Sequence, residues 1–279
     1  MPSITDQMTH LYVFVDDFLK AHPMLASWRR SPNNAPAFSD AEVVTVALMQ
    51  GCFQVATLKQ TYRLVADNFR AAFPHLPTYA QWLARFHALA PLVGRLVQHA
   101  LPPSLFDDGF YIMDSKPIPT CKPIRHGRVR LLREDGACFG KGTAGWFFGF
   151  KLHALVHGQS GAFLCAFLAP ANLPDQDFAP ALAQSVGGGV ALADRAYQAS
   201  ELTEWLIAEE DMALVTPKNC GQEHRPLVCS LRERIETSFG QLCERFVDRV
   251  LSRSFHGLWN TVKLKMLHLN LCKAGLLPA

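Results

Sequence analysis

The chain has 279 residues, of which 49% are hydrophobic and 18% charged, with a formal net charge of +3 and a pI of about 8.4. That composition excludes global disorder and supplies core for one large domain or two modest ones. Its slight basic excess neither requires nor excludes a polyanionic partner. No stretch approaches the ~20 apolar residues of a membrane span, and MPSITDQMTHLYVFVDDF carries acids where a secretory leader needs bases. The expectation is a soluble, cytoplasmic chain with no membrane partner. Eight cysteines, at 52, 121, 138, 165, 220, 229, 243 and 272, form no C-x-x-C pair and in part fall in apolar runs such as FLCAFLA. They read as reduced, mostly buried thiols rather than zinc ligands.

Residues 1–103 are patterned as helices. The first spans about Thr5 to Ala21. The second starts at Ser39-Asp-Ala-Glu42, a capping box ahead of VVTVALMQ. A third runs from about Thr57 to Ala72. A fourth opens on Thr78-Tyr-Ala-Gln81, again a capping box, and continues toward His99. Prolines 23, 32, 36, 74 and 77 mark the connections, and LPPS at 101–104 ends the region.

The pattern then changes, and 104–279 reads as a second domain. FYIM (110–113) is a short strand stopped by Ser115-Lys116-Pro117. A long loop, basic and then glycine-rich, leads to the alternating strand FFGFKLHALVHG, the turn Gly158-Gln-Ser-Gly161 and the apolar strand AFLCAFLA. Pro174-Asp-Gln-Asp177 starts a helix, GGGVALA is a strand ending at Asp194, and a helix over about 200–209, the strand MALVTP and a long helix from about Val228 follow. Three strands including an antiparallel hairpin, then helix, strand, helix, strand, helix, match a ribonuclease H-like α/β fold. That is a mixed sheet flanked by helices, here preceded by an all-α N-terminal domain.

Three carboxylates stand out. Asp114 and Asp194 each follow a short apolar strand, on the rim where open sheets carry ligands; either one alone could equally accept backbone hydrogen bonds in a turn. Glu236 lies in a helix whose apolar face is Leu231, Ile235, Phe239, Leu242, Phe246 and Val250. It stands about 100° round from Ile235, at the margin of that face, with Arg232 one turn earlier on the same side. An i, i+4 surface pair is the plainer reading. Glu233, on the opposite flank from Arg232, and Glu244, far from the stripe, are the competing acids. Two strand-end aspartates and a helix glutamate can together hold two divalent ions over a phosphodiester.

Other features bear on partners. Lys116, Lys122, Arg125, Arg128, Arg130 and Arg133 follow Asp114 with no intervening Asp or Glu, a candidate phosphate-binding stretch or a solvated loop. Trp146, Phe147 and Phe148 could stack on a base or pack in the core. His153 and His157 share one face of a strand, as packing residues, DNA contacts or a metal pair.

MDSKPIPTC, GFKLHALV, PANLPDQDFAPAL, DRAY and RERIETSFGQL, in that order, together with SDAEVVTVAL in the helical region, resemble a DDE transposase of a bacterial insertion sequence. The resemblance implies a metal-binding catalytic triad of Asp114, Asp194 and Glu236 and two divalent ions, Mg²⁺ or Mn²⁺. It implies cleavage at the element's DNA ends with strand transfer into a target duplex, by a homodimer near the nucleoid, with the helical domain reading the ends. A ribonuclease H-like nuclease that does not transpose, or a domesticated DNA-binding protein, are the alternatives. Arg232 matches an arginine that contacts DNA phosphate. Many relatives have a tyrosine three residues before that arginine and a lysine seven after the glutamate. Cys229 and Cys243 stand there, leaving Arg245 or Lys263 as candidates to replace the missing contacts.

Overall fold

The computed structural model describes residues 2–26, 36–244 and 252–278. Its helices are α1 (Ile4–Ala21), α2 (Asp40–Phe53), α3 (Leu58–Asn68), α4 (Tyr79–His99), α5 (Ala179–Ala183), α6 (Ser200–Glu210), α7 (Arg225–Glu244) and α8 (Phe255–Lys273). Its strands are β1 (Phe110–Cys121), β2 (Cys138–Gly142), β3 (Gly145–His157), β4 (Phe163–Pro170), β5 (Gly189–Leu192) and β6 (Met212–Val215). The chain divides into two compact units, Met1–Ala100 with Asn260–Ala279, and Leu101–Trp259.

In the helical unit, local capping chemistry sets the starts. Ser39 accepts from the Glu42 amide at 3.1 Å while its own amide donates to the Glu42 carboxylate. The Thr78 amide and hydroxyl both donate to Gln81 Oε1. α3 stops at Asn68 rather than Ala72, because residues 69–73 tighten into i→i+3 turns. α2 is buried nearly all round, with Val43, Val44, Val46 and Met49 each fully enclosed. The Trp82 indole N–H reaches Val43 O at 3.1 Å, and Arg85 pairs with Asp40 at 2.8 Å.

Residues 260–279 belong to this unit, whereas the sequence assigned everything after 103 to one domain. The Lys263 ammonium donates to Ala90 O at 3.0 Å and Asn270 Nδ2 to Val97 O at 2.9 Å. Lys263 is 8% exposed, and burial lowers its pKa. Lys263 is thus placed in the helical unit, on a carbonyl of α4. Among the described residues, no single helix is long and apolar enough to cross a membrane.

In the second unit the sheet runs β4-β3-β1-β5-β6, with β2 added to β3 beside β4. β3 is antiparallel to β1 and β4, while β1, β5 and β6 are mutually parallel. This is the ribonuclease H-like order of an antiparallel half joined to a parallel half. One face packs Tyr111, Met113, Leu155, Leu164 and Ala191 against Ala179, Leu182 and Leu206 of α5 and α6. α7 approaches the sheet at β1, and its Ser238 hydroxyl donates to Gly161 O at 2.7 Å.

β1 is three times the expected length. Ser115-Lys116-Pro117 does not stop it, and it pairs with β3 through Cys121. Its pairing with β5 ends at Ile112, so Pro117 and Pro119 lie where its second edge carries no strand, a place that tolerates proline. Where β1 bulges between Pro119 and Cys121, a Cβ on Gly149 would fall 2.3 Å from Ile118 O, so the strands close up only around glycine. β2, read as loop from sequence, and the early start of β3 are consequences of the same pairing, since Cys138–Gly142 are hydrogen-bonded to Gly145–Gly149.

Candidate active site

Register brings the first two acids level. Ile112 pairs in parallel with Leu192 as the last pair of β1 and β5, and Asp114 and Asp194 each stand two residues beyond it. Asp194 is thus just past a strand end, as expected. Asp114 is not at a strand end but in mid-strand, opposite Ala154 of β3, at the point where β1 parts from β5. α7 buries Val228, Ile235, Phe239 and Leu242 and carries Glu236 beside that stripe. Phe246, Val250 and Arg245 lie outside the described residues.

The three acids line one cleft of about 720 Å³, with Lys116, Lys141, Lys151, Asp175, Arg232 and the Gly142–Ala144 turn. Glu233 is exposed and does not line it. Asp114 Oδ1 accepts the Ser115 amide at 2.7 Å, and its Oδ2 accepts from Arg232 Nη2 at 3.3 Å. Burial pushes the Asp114 carboxyl up to about 6, against the opposing pull of the Ser115 amide and the Arg232 charge. Asp194 Oδ1 accepts the Ala196 amide at 2.7 Å and so caps the Arg195–Tyr197 turn. The Tyr197 ring is fully buried, and its hydroxyl has no hydrogen-bond partner among the described residues. Burial, then the charges of Asp114, Asp175 and Asp194, hold that phenol protonated well above its ordinary range.

Asp175, from PANLPDQD, is a fourth carboxylate that sequence reasoning passed over. Its signal in the sequence is an acid at the start of a helix after an apolar strand. Lys151 Nζ donates to Asp175 Oδ1 at 2.8 Å and to Leu173 O at 3.2 Å. His153 is buried and stacks on Phe178 with ring centroids 4.0 Å apart, its Nδ1 3.7 Å from Asp175 Oδ1. Burial lowers its pKa to about 4, so the ring is neutral at pH 7. His157 instead joins Asp108 at 3.0 Å and Ser160 at 2.9 Å, so the two histidines have different partners.

Of the basic stretch, Lys116 alone lines the cleft. Lys122, Arg125, Arg128, Arg130 and Arg133 are exposed, and Arg133 lies over Phe148 at 5.9 Å while donating to His126 O. Trp146 is 65% exposed, whereas Phe147 and Phe148 are buried. Among the described residues no disulfide forms; Cys229 is exposed and the other cysteines are half-buried, less enclosed than the sequence suggested.

Among the described residues, no three His, Cys, Asp or Glu side chains stand close enough to hold an ion as they are placed. The donor set still fits hard divalent cations. All donors are carboxylate oxygens, and Mg²⁺ sites of this kind need one or two carboxylates, with water and substrate phosphate completing the shell. Beside these acids the buried Tyr197 hydroxyl is a polar atom left over at the same site.

The family model described as Transposase DDE domain matches residues 106–252. That is more than half of the chain, and the chain belongs to the transposase family with a DDE domain. No curated protein matches it. Among solved structures it is similar to a piggyBac transposase synaptic complex with hairpin DNA determined by cryo-EM. There the identity is 8% and the TM-score 0.45, over 96% of this chain and 71% of that one.

Proposed function

We propose that the chain is an insertion-sequence transposase that cuts DNA at its element's ends and joins them to a target duplex, using two Mg²⁺ or Mn²⁺ ions. The observation that carries the reading is the register of β1 and β5. It sets Asp114 and Asp194 side by side on the cleft that Glu236 enters from α7.

The bound ions would supply an activated water or 3′-hydroxyl and compensation for the leaving oxygen. Asp114, Asp194 and Glu236 are the residues that hold them. Arg232, paired with Asp114 at 3.3 Å, is a cation on the same cleft for a phosphate oxygen. Lys116 adds a second cation at the rim. Lys122, Arg125, Arg128, Arg130 and Arg133 follow the duplex by charge alone, independent of sequence. Pairing two ends calls for two copies of the chain.

The test uses the purified chain, a duplex carrying the element's end and a labelled target duplex. Asp114→Asn, Asp194→Asn and Glu236→Gln should each lose cleavage and joining while still binding DNA. Cutting by all three variants would refute the site. Cutting by the wild-type chain without any joining would identify a nuclease instead.

A further inference from the structure

We propose that Lys151 is the fixed phosphate anchor of this cleft and that Asp175 is its positioning residue, an inference that rests on the DNA-cutting reading above. Four carboxylates (Asp114, Asp175, Asp194, Glu236) and four cations (Lys116, Lys141, Lys151, Arg232) line the cleft, so its formal charge balances before any ion arrives.

The four cations are not equivalent. Lys141 is exposed, Lys116 is half-buried, and Arg232 is bound to Asp114. Lys151 is 13% exposed and held at two points, by Asp175 Oδ1 at 2.8 Å and Leu173 O at 3.2 Å. An ammonium has three N–H donors and no acceptor, so one remains for an anion. A pinned lysine brings that donor to a phosphate with its rotamer freedom already lost, the condition under which a single contact orients as well as attracts.

The setting keeps the pin in place. Lys151 is on β3, paired with Pro117 on one side and Ala169 on the other. Asp175 opens the Asp175–Phe178 turn, which packs against the Arg195–Tyr197 turn that Asp194 caps. The neutral His153 ring closes off Asp175 without competing for its charge.

The experiment is equilibrium binding of the full chain to a labelled duplex of arbitrary sequence, titrated across KCl concentrations, with Mn²⁺ binding by electron paramagnetic resonance in parallel. Lys151→Gln should weaken binding about tenfold and reduce the salt slope by roughly 0.9, the loss of one phosphate contact. Lys151→Arg should keep the slope, which controls for folding. Removing the Asp175 charge by itself favours DNA, so its positioning role is read from a double-mutant cycle: in the Asp175→Asn background Lys151→Gln should cost clearly less than tenfold, whereas a merely structural role would leave the tenfold loss intact. Unchanged affinity and slope in Lys151→Gln would overturn the proposal. So would loss of a Mn²⁺ equivalent in Asp175→Asn at full DNA affinity, since Asp175 would then be a metal ligand. A wild-type chain that binds no duplex would overturn the DNA-cutting reading itself, and this inference with it.

Discussion

Two of the cations inside the cleft and those of the basic stretch after Lys116 are held by different means. Arg232 and Lys151 are each bound to a carboxylate and about five-sixths or more covered. Lys122, Arg125, Arg128 and Arg130 stand exposed on a segment that contains the short Pro123–Arg125 turn. Partly buried ion pairs have defined geometry and are expensive to break on one side only. Exposed charges are cheap, screened and mobile in direction. The first kind suits placing one phosphate, and the second suits gathering a long polyanion.

The largest effect expected inside the cleft is loss of chemistry. Asp114→Asn should lower cleavage by about 10³-fold, since compensation by a bound cation is worth several kcal/mol at roughly 1.36 kcal/mol per tenfold in rate. A rate within tenfold of wild type in a quantitative cleavage assay would sink the assignment.

Next is the Arg232–Asp114 pair. In metal-free protein a double-mutant cycle of Arg232→Gln and Asp114→Asn, read by chemical denaturation, should give a coupling of about 1–3 kcal/mol. Saturating Mg²⁺ should shrink it, because the cation would take over Asp114. A coupling indifferent to Mg²⁺ would mean that Arg232 and the ion do not share that carboxylate.

The loop should behave oppositely. Changing Arg125, Arg128 and Arg130 together to Gln should weaken binding to every duplex alike and lower the salt slope by up to about 0.9 per lost contact. The cleavage rate of DNA already bound should not change. A selective loss for one sequence would contradict the contrast between the two sets of cations.

The smallest effect is on stability against pH. Asp114 is raised to about 6 by burial, so between about pH 4 and 6 the native state holds a proton that the unfolded chain has released. Its contribution to stability is therefore lost as pH rises through that window. His153 is lowered to about 4, again chiefly by burial. The unfolded chain binds that proton first, and its contribution is lost as pH falls from about 6.5 to 4. The two oppose each other, so stability in Asp114→Asn should climb more steeply from pH 4 to 6.5 than in wild type. Parallel curves in urea denaturation would refute the pairing of effects.

The amino-acid order alone determined the local structure. Capping boxes at Ser39 and Thr78, period-two alternation through β3 and the apolar stripe of α7 are each written within a few turns of chain. The succession of elements was enough to name the ribonuclease H-like arrangement and to single out Asp114, Asp194 and Glu236. What tertiary structure decided depends on partners distant in sequence. Pro117 and Pro119 read as strand breakers until β3 pairs with one edge of β1 and β5 leaves the other open. β2 has little strand character without β3 beside it. Residues 260–279 joined the helical unit because Lys263 and Asn270 meet carbonyls of α4, 173 positions away. Asp175 entered the cleft for the same reason, since a carboxylate at a turn has no stated direction until a lysine on another strand fixes it.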